Sequence, residues 1–307
     1  MLSIIITTKD EARSLKRALK IILQQARELG QKFEIIVVTP DSASAIVVMQ
    51  AQFRNSEVKL IKDQSIGKPA ALNLALQKAQ GDFLVFTDGD VAWKNVALKA
   101  LMAEFNAVEK DIGAVSGQPI SLNKKNNIFG FWAKVLVESA HKIRMSQNEK
   151  GEYFPCSGYL YAIKRKFLEE SKQSKIFLKI DLLAEDGYIS KIIWENDGKI
   201  AYASQAKVMV KFPANFSDWK KQKIRTLAGY MQLRQFQKSA QKGFHRSFLQ
   251  EAKEVFYLFS YAKNFQQILW TIFLIFARLY VWILAWWKIA VIKMDANTLW
   301  QRIESTK

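Results

Sequence analysis

Two carboxylates stand one residue apart in the segment Thr87-Asp88-Gly89-Asp90-Val91, directly after an apolar run at 83–87. Asp88 and Asp90 at this spacing can share a divalent cation, because Mg²⁺ and Mn²⁺ prefer hard carboxylate oxygens. A metal bound there would neutralise negative charge developing on a leaving diphosphate. An Asp-x-Asp turn around a glycine also has an ordinary structural explanation. Its place at the end of a predicted strand favours a metal site for Mg²⁺ or Mn²⁺.

The elements that must position this acidic turn alternate between strand and helix patterns. Runs rich in Ile, Val and Phe predict strands at 2–7, 33–38, 58–61, 83–87 and 112–116. Helical spacing predicts helices at 11–29, 43–53, 68–78 and 96–108. Thr8 and Glu11 have the spacing of a capping box at the first helix. This alternation predicts an α/β fold with a mostly parallel sheet flanked by helices, whose ligands bind beyond the carboxyl ends of the strands.

The second half of the chain has a mixed pattern that ends in an apolar tail. Short strands are predicted at 159–163 and 206–210, and residues 207–246 are dense in Lys and Arg. Residues 247–262 place apolar side chains along one helical face, which suits an interfacial amphipathic helix or a helix packed against the domain. We therefore predict a catalytic domain at 1–246 and a membrane-associated helical tail at 247–307, with an apolar segment at 268–292.

The apolar segment is long enough to cross a bilayer. Residues 268–287 contain only Thr271 and Arg278 as non-apolar side chains, and about 20 apolar residues suffice for a span. Arg278 at mid-membrane would raise the free energy of insertion by roughly 3 kcal/mol, whereas each apolar neighbour would lower it by roughly 0.5 kcal/mol. Trp and Tyr residues along the segment suit interfacial depth. A spanning helix, an interfacial helix, a bent hairpin and a buried core helix all stay open, and membrane association is favoured.

Charge and cysteine content narrow the function classes. The 307 residues carry a formal charge of +18, which predicts an anionic partner such as nucleic acid, acidic lipid or a phosphorylated substrate, with a solvated basic surface as the alternative. The lone Cys156 excludes an internal disulfide and fits a reducing compartment. The first residues have the pattern of a buried strand and not of a secretory signal, so we expect the catalytic domain on the cytoplasmic side.

The opening motifs resemble family 2 glycosyltransferases, the GT-A-fold group that includes cellulose and hyaluronan synthases and many non-processive relatives. The resemblance covers roughly residues 2 to 230. Segment 4–11 is similar to the family's first strand and nucleotide-contacting turn, which implies nucleotide contacts for Thr7 and Glu11. The family's second strand normally ends in paired aspartates near the nucleotide base. Here the sequence is Thr39-Pro40-Asp41, so Asp41 is the candidate and the identity of the base stays open.

Further segments resemble the part of the family that binds the diphosphate. Lys68 opens a segment similar to one whose lysine approaches the diphosphate, as a cation beside phosphate oxygens should. The resemblance places Asp88 at the same diphosphate through the metal. Gln222 and Arg225 share a helical face and look like the family's Gln-x-x-Arg-Trp motif, which implies a clamp on the diphosphate. An ordinary basic surface helix is the alternative, given the neighbours Lys220, Lys221 and Lys223. Thr226 stands where processive synthases have Trp, so we expect non-processive transfer.

Two more segments resemble the acceptor side of the family's site. Cys156, Ser157 and Gly158 are similar to the loop that faces the acceptor, where a glycine permits close approach of a sugar ring; a tight turn into a strand explains them equally well. Glu185 and Asp186 match the family's Glu-Asp motif at a helix start, which implies acceptor contact by Glu185 and general-base catalysis by Asp186. An acidic pair that stabilises a helix N-terminus is the alternative.

The resemblance implies an inverting, metal-dependent hexosyltransferase that uses a nucleotide-sugar donor, with a UDP-sugar as the expected donor. One apolar segment is too little to enclose an export channel, so we expect a membrane-associated acceptor, lipid-linked or another glycan. The alternatives are a membrane-attached nucleic-acid-binding protein and a scaffold on an inactive transferase fold. A nucleic-acid partner is not expected, because the chain has no recognisable nucleic-acid module and its acidic motifs would stay unexplained.

Overall fold

The computed structural model describes residues 1–106, 111–169, 178–235, 257–292 and 303–306. These residues divide into two compact units. The first consists of Met1–Ile120, Arg144–Ile180 and Glu185–Val210, and the second of Ser121–Ile143, Asp181–Ala184 and Lys211–Lys307. The predicted domain boundary at 246, most of the amphipathic segment at 247–262 and the end of the basic stretch at 207–246 lie outside the described residues.

An α/β sheet forms the centre of the first unit, which confirms the predicted fold class. In the described residues it has eight strands in the order β3-β2-β1-β4-β7-β6-β8-β5. In chain order, β1 to β8 are Leu2–Thr7, Phe33–Thr39, Val58–Lys62, Phe83–Asp88, Ala92–Trp93, Ile112–Ser121, Leu160–Lys164 and Lys199–Val210. β1 pairs in parallel with β2 and β4, and β2 with β3, whereas β7 pairs antiparallel with β4 and β6, and β5 pairs antiparallel with β8. The alternating pattern predicted β1 to β4 and also β6, and the antiparallel pairs of β7 and β5 make the sheet mixed.

Helices connect and flank these strands. In chain order, α1 to α9 are Ala12–Glu28, Ser42–Arg54, Lys68–Lys78, Ala97–Ala103, Ile128–Lys150, Lys166–Glu169, Glu185–Glu195, Phe216–Gln235 and Phe265–Trp286. The predicted helix at 68–78 is confirmed at both ends, and those at 11–29 and 43–53 within one residue. The helix predicted at 96–108 ends earlier, at Ala103, and a short 3₁₀ turn follows at Glu104–Asn106.

The parallel strands form because their apolar residues are buried on both faces of the sheet. Every residue of β1 is buried, and so is nearly every residue of β2, as expected for a sheet covered by helices on both sides. β8 begins seven residues before the strand predicted at 206–210. The prediction missed its first half because Ser204 and Gln205 interrupt the apolar pattern.

The predicted capping box at the first helix is wrong. The Thr8 hydroxyl donates to the Glu11 carboxylate at 3.0 Å, and Glu11 itself occupies the N-cap position without capping through its side chain. The backbone of Asp10 is left-handed, with φ of 55°, so the chain turns after Thr8 and the helix begins only at Ala12. The Thr8 and Glu11 side chains consequently belong to the turn beyond β1 and not to the helix.

The second unit is a helical assembly with its own apolar core. Residues of α8 and α9 and of the first part of α5 form one buried cluster, which includes Trp132, Trp219, Leu227, Leu274 and Val281. The indole N–H of Trp132 donates to the backbone carbonyl of Trp270 at 2.7 Å. Among the described helices, one, Phe265–Ile289, is long and apolar enough by composition to cross a membrane.

Candidate active site

The acidic turn lies at the carboxyl edge of the parallel strands. Thr7, the last residue of β1, is in register with Asp88, the last residue of β4, and its hydroxyl donates to Asp88 Oδ1 at 3.3 Å. The turn continues through Gly89, whose N–H donates to the Thr7 carbonyl at 3.1 Å. A Cβ at residue 89 would lie 2.4 Å from Thr8 Oγ1. Only glycine therefore lets the turn after β1 approach the turn after β4 this closely.

Lys68 joins two of the acidic motifs. Its Nζ lies 2.7 Å from Asp88 Oδ1 and 2.8 Å from Glu185 Oε1. Lys68 stands at the first turn of α3, where Gly67 takes a φ of 141° and Pro69 starts the helix. Burial alone would lower the pKa of Lys68, but Asp88 and Glu185 raise it above its ordinary value. The lysine therefore stays protonated and holds the last residue of β4 and the first residue of α7 together.

A third carboxylate stands close to the two aspartates of the acidic turn. Burial, followed by the charges of Glu11 and Asp88, raises the pKa of Asp90 to about 7. Like charges held this close favour a cation between them. The described residues contain no group of three or more His, Cys, Asp or Glu arranged to hold a metal ion. Asp88 and Asp90 nevertheless present the hard carboxylate oxygens that a divalent cation prefers, so their chemistry fits a cation with two protein ligands.

Asp186 lies at the start of α7, against the loop before β7. The N–H of Gly187 donates to Asp186 Oδ1 at 2.8 Å, and the N–H of Gly158 also stabilises the charged form. Burial, followed by the charge of Glu185, raises the pKa of Asp186 to about 6, although Lys68 acts in the opposite direction. A carboxyl group with a pKa near working pH suits a general base. The resemblance had assigned that role to Asp186.

The loop at 156–158 presents backbone, and not side chains, to Asp186. The Cys156 N–H donates to Ser190 Oγ at 2.9 Å, and the Ser157 N–H donates to Ser116 Oγ at 2.9 Å. Both side chains are buried, and burial raises the pKa of the Cys156 thiol to about 12, so the thiol is not a nucleophile. A Cβ at residue 158 would lie 2.9 Å from Asp186 Oδ2. Gly158 therefore sets the distance between the loop and the carboxyl group.

Three supporting residues were missed by the sequence analysis. The Ser190 hydroxyl donates to the Asp186 carbonyl at 2.6 Å and thereby ties the first turn of α7 to the loop. The Thr87 hydroxyl donates to the Tyr159 carbonyl at 2.8 Å, and the Trp93 indole donates to Thr87 at 3.2 Å. The spacing of four residues between Asp186 and Ser190 was a usable signal, because serine in a helix often bonds to the carbonyl four residues earlier.

Asp41 organises the turns beyond β1 and β2. As the N-cap of α2 it accepts the Ser44 N–H at 2.7 Å, while its other oxygen accepts the Asp10 N–H at 2.7 Å and the Thr39 hydroxyl at 2.9 Å. Burial raises the pKa of Asp41, but these hydrogen bonds outweigh it and lower the pKa below its ordinary value. Asp41 is therefore an ionised residue that joins two strand ends, in the region where the resemblance implies nucleotide contact.

The predicted site residues fall into two groups. Those of the first unit surround the carboxyl edge of the sheet and are Thr7, Glu11, Asp41, Lys68, Asp88, Asp90, Cys156, Ser157, Gly158, Glu185 and Asp186. Gln222 and Arg225 lie in α8, which belongs to the second unit. The hydroxyl of Thr226, which replaces the expected Trp, donates to the Gln222 carbonyl at 2.9 Å within that helix.

A half-parallel sheet with acidic and lysine side chains at its carboxyl edge defines an α/β protein of the GT-A class. The chain belongs to the glycosyltransferase-like family 2, whose family model matches residues 1–229. No curated protein sequence matches the chain significantly. The predicted family and fold class are thus confirmed.

One solved structure shares the fold, and others show a weaker likeness. A mannosyltransferase, PcManGT from Pyrobaculum calidifontis, solved with GDP-Man and Mn²⁺, superposes with a TM-score of 0.58 at 19% identity, over 78% of this chain. Staphylococcus aureus TarS 1–349 gives a TM-score of 0.48 at 17% identity over 74% of this chain, and its complex with UDP-GlcNAc gives 0.48 at 15% over 85%. The chain spans 65% of the mannosyltransferase, and 64% and 71% of the two TarS chains.

Proposed function

We propose that this protein transfers a sugar from a nucleotide-sugar donor to a membrane-associated acceptor, with inversion at the anomeric carbon and without processivity. The observation that carries the proposal is the ion-paired cluster in which Lys68 bridges Asp88 and Glu185, next to Asp186. It unites the predicted phosphate-binding lysine, the metal-binding turn and the acceptor-side acids. The retention of Asp88, Asp90 and Asp186 favours an enzyme over a nucleic-acid-binding protein or an inactive scaffold.

Each residue has a distinct part in the proposed reaction. Asp88 and Asp90 would hold a divalent cation, which would neutralise the negative charge on the departing diphosphate. Lys68 adds a fixed positive charge at the same edge. Asp186 accepts the proton of the acceptor hydroxyl as that oxygen bonds to the anomeric carbon and the carbon–diphosphate bond breaks on the opposite side. The acceptor oxygen thus enters opposite the leaving group, which inverts the anomeric centre.

We propose a UDP-sugar as the donor and include GDP-sugars in its test. The turn at Thr39-Pro40-Asp41 differs from the paired aspartates of the family, so the base is the least constrained part of the donor. The mannosyltransferase that shares the fold was solved with GDP-Man and Mn²⁺, which makes a guanine nucleotide the natural second candidate. We propose either Mn²⁺ or Mg²⁺ as the cation, since both prefer carboxylate oxygens.

We propose that the acceptor is lipid-linked and that the catalytic domain works at the cytoplasmic face of a membrane. The support comes from the apolar helix at Phe265–Ile289 and from the surplus of cations, +18 in total. Such a surplus favours anionic lipid surfaces, at about 1 kcal/mol for each suitably placed cation. One apolar helix cannot enclose a pore, which favours single transfer over polymer export.

The test measures nucleotide diphosphate release from UDP- and GDP-sugars, with Mn²⁺ or Mg²⁺, in lipid or mild detergent. We expect metal-dependent turnover with one donor, abolished in Asp88→Asn and Asp186→Asn. Asp82→Asn is the matched control, because Asp82 precedes the same strand but lies exposed beside the chain's first amino group. If no donor shows metal-dependent turnover or binding, the transferase is excluded. Strong salt-dependent DNA binding would then favour the nucleic-acid alternative.

A further inference from the structure

One face of α9 exposes an unbroken row of large apolar side chains. Phe265, Phe273, Phe276 and Ile283 are 74%, 56%, 64% and 59% exposed. Further members of the row, each at least 39% exposed, are Ile268, Leu269, Leu279, Tyr280, Trp286 and Trp287. Their spacing of three and four residues places them on one side of the helix. A contiguous apolar face of this kind marks an interaction site.

The opposite face of α9 packs within the second unit along most of its length. Thr271, Leu274, Ala277, Val281 and Ala285 are buried in it. From Thr271 to Ala285 they span 14 residue steps, or about 21 Å of helix. All but Thr271 belong to the same core cluster as residues of α5 and α8. One face of α9 is therefore packed against neighbouring helices along most of the helix, and the opposite face is exposed.

Two aromatic contacts show that the attachment extends along the helix. Trp132 of α5 donates to the carbonyl of Trp270 near the start of α9. Phe216, at the start of α8, has its ring centroid 6.4 Å from that of Tyr280, ten residues further along α9. Neighbouring helices therefore contact α9 at both positions.

The helices packed against α9 carry charged side chains, which are unfavourable in the hydrocarbon core of a membrane. Within six residues α8 has Lys220, Lys221, Lys223 and Arg225, and Lys134 of α5 pairs with Glu138 at 3.3 Å. If α9 crossed a bilayer, the helices attached along its side would enter the bilayer with it. Their cations would then lose water, which is strongly unfavourable at mid-membrane. A helix lying in the plane of the interface avoids this cost, because only its exposed face meets lipid.

We propose that α9 lies in the plane of the membrane interface, with its exposed apolar face in the lipid and a lysine cluster on anionic phosphate headgroups. This places the described part of the second unit on the surface of the bilayer, with α9 not crossing it. The inference deepens the membrane-bound acceptor of the proposed function. It rests on the packing of the second unit alone and is measured without turnover.

Cations near the start of α9 indicate that the exposed apolar face binds an anionic bilayer. Lys134, followed by burial and with a further contribution from Lys263, lowers the pKa of Lys125, whereas Glu138, which pairs with Lys134 at 3.3 Å, acts in the opposite direction. Three cations therefore stand against one carboxylate in this group, and anionic phosphate headgroups would balance the surplus. Lys263 lies two residues before Phe265, so the lysine cluster formed by these three cations adjoins the apolar row.

Aromatic residues beside the lysine cluster suit the depth of the headgroups. The Lys142 ammonium lies 4.6 Å from the ring centroid of Tyr257 and 5.0 Å from that of Tyr261. At the far end of α9, Trp286 and Trp287 are also exposed. Tyrosine and tryptophan prefer the membrane–water interface. Their presence at both ends and at Tyr280 in between fits one shallow depth for the whole helix.

The first experiment measures binding of the full chain to vesicles of phosphatidylcholine alone and with phosphatidylglycerol. We expect Phe273→Asp/Phe276→Asp to lose binding more than about tenfold on both, with Phe53→Asp as control, since Phe53 is 92% exposed in the first unit. Lys125→Gln/Lys263→Gln should lose about thirtyfold on anionic vesicles only, at roughly fivefold per cation. Its control is Lys16→Gln/Lys20→Gln, two exposed lysines of α1.

The second experiment distinguishes an in-plane helix from a spanning one. The variants Phe265→Cys, Phe276→Cys and Trp287→Cys receive nitroxide labels, which is practicable because the native Cys156 is buried. We expect the three labels at one shallow depth and all accessible from the outer solution. The proposal would be overturned if the label at 276 lay deepest in the bilayer and the labels at 265 and 287 lay on opposite sides of it, about 33 Å apart. Absence of vesicle binding, with a dimer that Phe273→Asp/Phe276→Asp dissociates, would overturn it in favour of self-association.

Discussion

Replacing Gly158 with alanine tests whether the position of the Asp186 carboxyl group controls the proposed reaction. A Cβ at residue 158 lies 2.9 Å from Asp186 Oδ2 and 3.4 Å from its Cγ. Relaxed contact requires about 3.5 Å, so the carboxyl group must move by roughly half an ångström. It cannot move freely, because the N–H groups of Gly158 and Gly187 both stabilise it.

The expected loss of rate follows from that displacement. A misplacement of about 1 Å at a reacting group can cost about 10²-fold, so half that distance should lower kcat about tenfold. The KM of the donor should change little, because the diphosphate residues around Lys68 are not displaced. Overpacking of this size also lowers the free energy of unfolding by about 1–3 kcal/mol. Movement away from the Gly158 N–H raises the pKa of Asp186 above about 6.

The assay is diphosphate release as a function of pH, together with thermal unfolding. Gly30→Ala serves as control, since Gly30 has a φ of +72° but no atom within 4 Å of its added Cβ. It should lose stability through backbone strain without any change in kcat. A folded Gly158→Ala protein with kcat within about twofold of wild type, and an unmoved acid limb, would show that Asp186 is not the proton acceptor.

Three further predictions concern the same region. Wild-type kcat/KM should fall about tenfold per pH unit below about pH 6, because the raised pKa of Asp186 leaves the base protonated there; a profile flat to pH 5 would contradict this. Lys68→Met should lower the free energy of unfolding, measured by calorimetry, by about 2 kcal/mol and should raise the donor KM. If both quantities matched those of wild type, Lys68 would not bridge Asp88 and Glu185. Asn73→Ala should cost about 2–4 kcal/mol in urea unfolding, since its amide bonds both the N–H and the carbonyl of Leu178 at 2.8 Å; a loss under about 1 kcal/mol would mean that water replaces the amide.

Local pattern was sufficient to predict the parallel half of the fold. β1 and the helix Lys68–Lys78 were predicted at their observed bounds, because strands buried on both faces and helices between them have distinct periodicities. The antiparallel pairing of β7 with β4 and β6 was not predictable, since the direction of a strand depends on a connection and not on its own residues. The capping box failed for a related reason: the left-handed backbone at Asp10 decides where α1 begins.

The sequence by itself determined which residues could do chemistry, because Asp88, Asp90 and Asp186 stand in motifs with recognisable spacing. It could not determine how those motifs interact, since Lys68 and Glu185 are more than a hundred residues apart and meet only in the folded sheet. The tertiary structure also shows that one face of the apolar helix is buried against its neighbours. Composition permits a span, whereas the burial of Leu274 and Val281 against charged helices favours an in-plane helix. Contacts between distant segments set both outcomes, and no local pattern encodes them.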